Sequence, residues 1–497
     1  MCIIKQISKM LAVGTPIVAC NSHDHPHTTE RLVAEVAANS ADRPLIAWNV
    51  ADGVTGLNEP GERAIETLDP KELKAAQQAG PHGVLHVSKK LPAETVLVFE
   101  NLHWYWDKPA VMQAILNLRE PFKASKRCLI GLVLGATVPG DLIQATSYVE
   151  DPLPTQELLQ DKVRGIFNSA YGDKKTLEDA ESAQIAQELR GCSPFRAEQL
   201  TALSLTKSGV DRSRLRDNAR KQINDTVGLS VESTTETFDD IGGLDAMRDY
   251  MKRYFGGPRR PAVVVRIEEI EKALAGVGTE SSGTSGDALG VLLTAMEDYK
   301  WTGILAYGVS GCGKSLIAKA AANEFGAKGI RFDLNACKGS LVGESEKQIR
   351  AAMEVLYAIG GERVFIIASM NQITSLPPEL RRRFAAGTWY FDVPSVAGRQ
   401  DIWNISAKHF GVTHDGYDAD DLTGADIRDI TQRSYELGCT TTEAAEYHVP
   451  LCKAAPDAIA QSRSDARGRY LDANFGGPYR EDRTAKSTKQ ERAFDLS

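Results

Sequence analysis

Gly308-Val309-Ser310-Gly311-Cys312-Gly313-Lys314-Ser315 fits the phosphate-loop pattern G-x-x-x-x-G-K-[ST]. The apolar run before it, Gly303-Ile304-Leu305-Ala306-Tyr307, reads as a buried strand. Leu316-Ile317-Ala318-Lys319-Ala320-Ala321-Ala322 follows and reads as a helix. Strand, glycine loop and helix together separate this motif from a chance match in a Gly-rich turn. The glycines let successive backbone N–H groups turn inward onto phosphate oxygens, and the helix N-terminus adds partial positive charge at the same place. Lys314 is then the group that reaches the β- and γ-phosphates of ATP, and the Ser315 hydroxyl is a ligand for Mg2+.

About forty residues upstream, Ala262-Val263-Val264-Val265-Arg266-Ile267 runs into Glu268-Glu269-Ile270-Glu271. A strand ending in two carboxylates is what a Mg2+-dependent ATPase needs: Glu268 holds the metal and Glu269 orients or deprotonates the attacking water. Glu268 to Leu274 is also compatible with a charged helix, and the β-branched run before it favours a strand end. Downstream, Gly278 to Gly286 reads as a loop and Ala288 to Tyr299 as a helix. Gly329 to Leu334 is a strand, and Leu341-Val342-Gly343-Glu344-Ser345-Glu346-Lys347 opens a helix reaching Ile359. Arg363 to Asn371 is a strand ending in a polar side chain, and Arg381-Arg382-Arg383 follows at a turn. The last strand is Thr388 to Val393. Thr423-Gly424-Ala425-Asp426-Ile427 opens a helix within a helical stretch that begins at 396.

The first 150 residues also alternate strand and helix. Strands are expected at Pro16–Cys20, Leu45–Trp48, Thr95–Phe99 and Cys128–Leu134, a pattern that argues for a parallel sheet with crossover helices. Where a phosphate loop would sit, the chain reads Asn21-Ser22-His23-Asp24-His25-Pro26-His27, and where a metal-binding acidic pair would sit it reads Glu100-Asn101. This is an ATPase sheet without an ATPase site. Alternate spacing of His23, His25 and His27 allows three imidazoles on one side of an extended segment, against the plainer reading of a polar loop. Trp104-Tyr105-Trp106 has no basic cluster beside it and reads as packing or surface aromatics.

The boundaries drawn from this pattern are a degenerate α/β domain at 1–150 and a helical lid and connector at 151–232. An α/β ATPase core follows at 233–411, then a helical lid at 412–470 and a polar, disordered tail at 471–497. At 497 residues, with 42% hydrophobic and 25% charged content, the composition is that of a soluble globular protein. A net charge of −8 argues against a general nucleic-acid-binding surface. No apolar run is long enough to span a bilayer, and a secretory signal is not expected from Met1-Cys2-Ile3-Ile4-Lys5-Gln6. The 8 cysteines show no C-x-x-C pair and read as reduced thiols, so a cytoplasmic location is expected.

The second half resembles an AAA+ ATPase of the AAA clade. The resemblance rests on Ile241-Gly242-Gly243, the phosphate loop, Glu268-Glu269, Val342 to Glu346, Asn371, Arg381 to Arg383, and Thr423 to Asp426. Glu269 to Gly276, Ser340 to Glu346, Leu376 to Leu380 and Val449 to Lys453 resemble a particular group. These are the two-domain AAA proteins first named as hypothetical chloroplast reading frames, in which a degenerate ATPase domain precedes an intact one. Trp48 with Gly56-Leu57, and Leu102-His103 with Asp107 and Pro109, extend the likeness weakly into the first half. The fold implied is α/β, with two P-loop-NTPase-like parallel-sheet domains, each followed by a helical lid.

One departure is large. AAA+ proteins place the phosphate loop before the acidic pair in the chain, and here the pair comes first. An internal permutation is inferred, and it is physically allowed because such a site depends on which strand ends meet, not on chain order. Glu268 also replaces the family's Asp, Arg266 is unusual inside a buried strand and is read as a contact with a neighbouring subunit, and Leu341 stands where threading members carry an aromatic.

The resemblance implies ATP held by Ile241, Gly242, Gly308, Val309, Ser310, Gly311, Cys312, Gly313, Lys314, Ser315, Leu316, Gly424 and Ala425. It implies Mg2+ on Ser315 and Glu268, with catalysis by Glu269 and Asn371. Two of Arg381, Arg382 and Arg383 would serve a neighbouring subunit as arginine fingers. The function implied is ATP hydrolysis by a homo-oligomer, a hexameric ring, coupled to remodelling of a protein partner. Two alternatives stay open: a slow ATPase serving as a nucleotide-dependent scaffold, and a DNA-acting motor or loader. Nucleic acid and membrane are not expected partners.

Overall fold

The computed structural model describes residues 3–135, 138–233, 235–274, 284–337, 344–371 and 378–481. Contacts divide the chain into two units, Met1–Arg216 and Asp217–Ser497. Both are α/β, each built on a largely parallel sheet.

The first unit holds β1 (Ile17–Asn21), β2 (Leu45–Asn49), β3 (Gly53–Gly56), β4 (Val96–Phe99), β5 (Cys128–Val133) and β6 (Ser147–Glu150). Their order across the sheet is β3-β2-β4-β5-β1-β6, parallel except for the β2–β3 pair. Successive side chains along a strand point to opposite faces, so the four central strands feed two cores at once. Ile17, Ala19, Leu97, Phe99 and Leu129 enter one cluster. Val18, Cys20, Val96, Val98 and Ile130 enter the other. Helices Gln156–Tyr171, Asp179–Glu188 and Pro194–Leu203 follow, with a small hairpin of β7 (Leu205–Thr206) and β8 (Gly209–Val210) that the sequence reading missed. Trp106 is buried in the sheet's packing and Trp104 is exposed.

The second unit holds β9 (Leu229–Val231), β10 (Val263–Ile267), β11 (Thr302–Gly308), β12 (Lys328–Phe332), β13 (Val364–Met370), β14 (Thr388–Phe391) and β15 (Leu471–Asp472). The order is β15-β14-β11-β13-β10-β12-β9, with β9 alone antiparallel to its neighbour. All seven residues of β13 are buried, as expected of a central strand covered on both faces. Val264, Ile304, Ala306, Phe365 and Ile367 share one core with the helices Asp245–Phe255 and Lys314–Glu324. A separate cluster of Trp403, Leu422, Ile427, Ile430 and Ala444 holds the helical lid together.

The two sheets share a spatial pattern but not a chain order. Reading β6-β1-β5-β4-β2 against β14-β11-β13-β10-β12, every strand has a counterpart. In the first unit the loop-bearing strand β1 precedes β4, whereas in the second β10, the counterpart of β4, precedes the loop-bearing β11.

Three expectations need correction. The connector drawn at 151–232 ends in a strand of the second sheet, because Leu229–Val231 pairs with β12. The tail drawn as disordered from 471 begins with β15, which pairs with β14, and Tyr479 is fully buried with its hydroxyl donating to Asp392 at 2.6 Å. Polar composition masked it, since a few aromatics suffice to dock so short a segment. His25 and His27 occupy the first turn of the helix His25–Asn39, not an extended segment. Among the described residues no group of three or more His, Cys, Asp and Glu is placed to hold a metal. Leu341, Val342 and Gly343, the loop at 278–283 and Leu376-Pro377 lie outside the described residues.

Candidate functional site

The phosphate loop runs from the end of β11 into the helix Lys314–Glu324. Two of its glycines are required by geometry. Gly308 has φ +140°, and a Cβ there would lie 2.2 Å from the Phe391 carbonyl oxygen. Gly311 has φ +78°, and a Cβ there would lie 2.8 Å from Ala425 Cβ and 2.9 Å from Thr423 Oγ1. The lid touches the loop directly, for the Ala425 N–H donates to the Gly311 carbonyl at 3.1 Å. Thr423 and Asp426 cap each other at the start of the helix Gly424–Leu437 and fix that approach. Gly424 also lies against the Gly311 carbonyl and Ile402, and Gly242 packs against Ile402. Leu244 reaches Gly313, and Ile241 is buried. Val309 donates its N–H to Phe391, Ser310 offers its carbonyl to the Cys312 thiol, and Leu316 packs at the edge of the core. Ile241-Gly242, residues 308–316 and Gly424-Ala425 therefore meet in one place.

Lys314 is buried, and its Nζ donates to the carbonyls of Gly308 at 2.6 Å and Val309 at 2.8 Å. Burial pulls its pKa down to about 8. An ammonium that donates to two neutral carbonyls is suited to an anion, and phosphate oxygens supply one. Burial pushes the neighbouring Cys312 thiol up, so it remains protonated.

The acidic edge stands beside this loop. Ser315 Oγ donates to Glu268 Oε1 at 2.8 Å across 47 positions of chain. A hydroxyl and a carboxylate oxygen in contact at a helix N-terminus form a hard-oxygen donor set, which fits Mg2+ completed by phosphate and water. Glu269, just past β10, has φ +49°, a left-handed conformation that costs a non-glycine roughly 1–2 kcal/mol. Its backbone N–H donates to Ser369 Oγ at 3.3 Å, and its Oε1 accepts from Asn371 Nδ2 at 3.3 Å. Lys272 Nζ sits 2.6 Å from Glu269 Oε2, and the Asn371 N–H donates to Glu271 Oε1 at 2.9 Å. The strained backbone aims the carboxylate at the same edge as the end of β13.

Sequence reasoning missed Ser369, Glu271 and Lys272. A lone serine in the apolar run Phe365-Ile366-Ile367-Ala368-Ser369-Met370, two positions before Asn371, was the available signal. It also misread Arg266. This guanidinium is buried within the unit, bonded to Glu232 and to Glu268, and does not face outward. On the helix Pro378–Arg383, Arg381 and Arg382 are exposed while Arg383 pairs with Glu297. These arginines are not brought to the unit's own phosphate loop by any described contact.

In the first unit the counterpart edge is filled by the chain itself. Asp24 caps the helix that follows β1, with Oδ1 accepting from the His27 N–H at 3.2 Å and Oδ2 from the Phe195 N–H at 3.0 Å. Asn101, the counterpart of Glu269, has φ +52°. Burial lowers the pKa of His25 and of His27, which keeps both imidazoles neutral.

Comparison with known proteins finds matches in both units. Residues 3–150 match the SpoVK-like AAA ATPase N-terminal domain, and residues 304–360 match the ATPase family associated with various cellular activities (AAA). The chain is 23% identical over 413 residues to the uncharacterized AAA domain-containing protein ycf46 of Gracilaria tenuistipitata var. liui, covering 74% of this chain and 75% of that protein. The ycf46 protein of Trieres chinensis is 20% identical over 447 residues, 81% and 80% of the two chains. Proteasome-activating nucleotidase 2 of Haloferax volcanii is 26% identical over 297 residues, 49% and 60% of the two chains. With its phosphate loop and adjoining acidic edge, the chain carries AAA ATPase domains and is related to the ycf46 proteins.

Proposed function

We propose that the chain hydrolyses Mg-ATP as a homo-oligomeric ring, hexameric like the AAA proteins it resembles, and couples turnover to remodelling of a protein partner. The observation that carries this is the hydrogen bond from Ser315 to Glu268. It joins the phosphate loop to an acidic strand end that comes earlier in the chain, as a working ATPase requires. The reversed chain order of β10 and β11, set against the order in the first unit, supports an internal permutation of the ATPase core.

In this reading Lys314 exchanges its two carbonyl partners for β- and γ-phosphate oxygens. Ser315 and Glu268 hold Mg2+, which when bound screens the phosphate charge. Glu269 takes the proton of the attacking water while Asn371 positions it. Arg382, exposed, and Arg381, exposed with a long contact to the Tyr470 hydroxyl at 3.5 Å, suit the finger role better than Arg383, which is held in an ion pair with Glu297. Fingers from a neighbour are worth ~10³-fold in rate, which makes turnover depend on assembly. The lid reports occupancy through its contact with Gly311. A relative named for activating the proteasome favours a protein partner, and the net charge of −8 disfavours DNA. Among the described residues no helix is long and apolar enough to cross a membrane.

The test is ATP turnover and subunit stoichiometry, with and without ATP, for wild type, Glu269→Gln and Lys314→Ala. Turnover in wild type, an assembled ATP-bound state in Glu269→Gln and no binding in Lys314→Ala are expected. A Glu269→Gln chain that turns over like wild type would leave a nucleotide-dependent scaffold, with the acidic pair misassigned.

A further inference from the structure

Arg266 lies on β10, and Glu268 follows two residues later, just past the end of the strand, in contact with it. Its side chain is 8% exposed. A buried guanidinium needs carboxylate partners, and it has two: a bidentate contact with Glu232, Nε to Oε2 at 3.1 Å, and a contact from Nη1 to Glu268 Oε1. That Glu268 oxygen is also the one that accepts from Ser315. Directly across the sheet, Arg331 on β12 is in register with Arg266 and sits 3.6 Å from Glu268 Oε2 and 3.7 Å from Asp333. Two like charges placed opposite each other repel, and the carboxylates between them turn the row into Glu232, Arg266, Glu268, Arg331, Asp333 with alternating sign.

The consequence concerns the carboxylate that the nucleotide site exposes. Without metal, Glu268 faces incoming triphosphate as a negative charge, and in a partly buried edge that repulsion is poorly screened. Arg266 offsets it. A cation held by Ser315 and Glu268 would compete with Arg266 for the Glu268 carboxylate. One side chain therefore assists metal-free ATP and opposes Mg-ATP.

We propose that Arg266 sets how strongly nucleotide binding depends on divalent metal, by neutralising Glu268 wherever no metal is bound to it. This makes Arg266 a positioning residue acting through Glu268, and it rests on the nucleotide-site reading above.

The test measures the dissociation constant of a non-hydrolysable ATP analogue by calorimetry, once in excess EDTA and once in excess Mg2+, on the full chain. The quantity read is the ratio of the two constants. Arg266→Met/Glu232→Gln removes both buried charges together, so neither is stranded, and Arg266→Met alone is the simpler variant. Both should raise the ratio at least tenfold, mainly by weakening metal-free binding. In a Glu268→Gln background the same change at Arg266 should move the ratio less than twofold. A ratio unchanged by the double variant overturns the proposal, as does an equal rise in the Glu268→Gln background. Wild type that binds neither form overturns the nucleotide site itself, a result distinct from binding with an unaltered ratio.

Discussion

In the first unit the helix after the loop-bearing strand starts at His25, and its N-terminus receives the chain's own Asp24 carboxylate. In the second, the counterpart helix starts at Lys314, after a loop whose glycines keep the N-terminus open to an external anion. The strand after which water would be activated is followed by Glu100-Asn101 in one unit and Glu268-Glu269 in the other, and the second residue of each pair is left-handed, at φ +52° and φ +49°. Backbone geometry persists where the chemistry does not. The comparison teaches that the sheet specifies the edge, while a handful of side chains decides whether the edge takes a phosphate or a carboxylate of its own.

The strongest way to break that comparison is to write one edge into the other. Glu269→Asn gives the second unit the pair found in the first. Asn tolerates a left-handed backbone better than Glu, so the fold should hold. If Glu269 is the base, as proposed above, its loss should lower ATP turnover ~10³-fold, with affinity for Mg-ATP kept within about threefold. The reverse change, Asn101→Glu, should confer no second nucleotide site, because Asp24 still fills the helix N-terminus. Steady-state turnover and stoichiometric ATP binding read both, and a second bound nucleotide in Asn101→Glu would refute the self-filled edge.

Next in size is Asp151, which follows β6 and is 9% exposed. Its carboxylate accepts from Thr28 Oγ1 at 2.6 Å and from Arg31 Nη1 at 3.0 Å. These bonds lie on the helix that a phosphate loop would introduce. Asp151→Ala removes one partner of the part-exposed Arg31 and one of the two partners of the Thr28 hydroxyl, which keeps Ser22 Oγ at 2.7 Å, so the first unit should lose about 2 kcal/mol in denaturant unfolding. ATP affinity, measured where both units are folded, should change less than twofold. A loss below about 0.5 kcal/mol would mean that the polar cluster only decorates the degenerate edge.

Much of this was legible in the sequence because strand, loop and helix are local signals. Runs such as Val263-Val264-Val265 and Phe365-Ile366-Ile367 announce strands covered on both faces, and the phosphate loop carries its own geometry in its glycines. What escaped was decided by tertiary pairing. β9 and β15 are three and two residues long and exist only because an edge strand accepts them. Arg266 looked like an outward contact because no sequence pattern announces Glu232, 34 positions away, as its partner. The same holds for Ser369 beneath Glu269, whose role follows from register between β10 and β13 rather than from spacing.

A smaller effect separates the two edges by pH. Lys314 has its pKa depressed to about 8 by burial, below its ordinary value of 10.5. The folded, nucleotide-free chain therefore sheds this proton as pH rises through about 8, while the unfolded chain keeps it until about 10.5. Two signs follow. Over that window the nucleotide-free fold gains stability with pH, because the buried charge is discharged. ATP affinity falls, because phosphate needs the ammonium, by up to about tenfold per pH unit once the proton is lost. Calorimetric binding between pH 7 and pH 9.5 checks this, and a flat profile would mean that Lys314 is solvated in the working site.

The smallest expected effect tests the self-filled edge at its centre. Asp24→Ala removes the cap of the helix His25–Asn39 together with the acceptor for the Phe195 N–H. An N-cap is worth ~1 kcal/mol, and a contact shared with a second helix adds to it only if that helix cannot find water instead. Phe195 is exposed, so water replaces the lost acceptor and the loss should stay near 1 kcal/mol. Asp24→Asn keeps a capping oxygen without the charge, and should recover most of the stability if hydrogen bonding dominates. If only the charged residue restores it, the carboxylate acts as an anion at a helix N-terminus, the same interaction that the second unit reserves for phosphate.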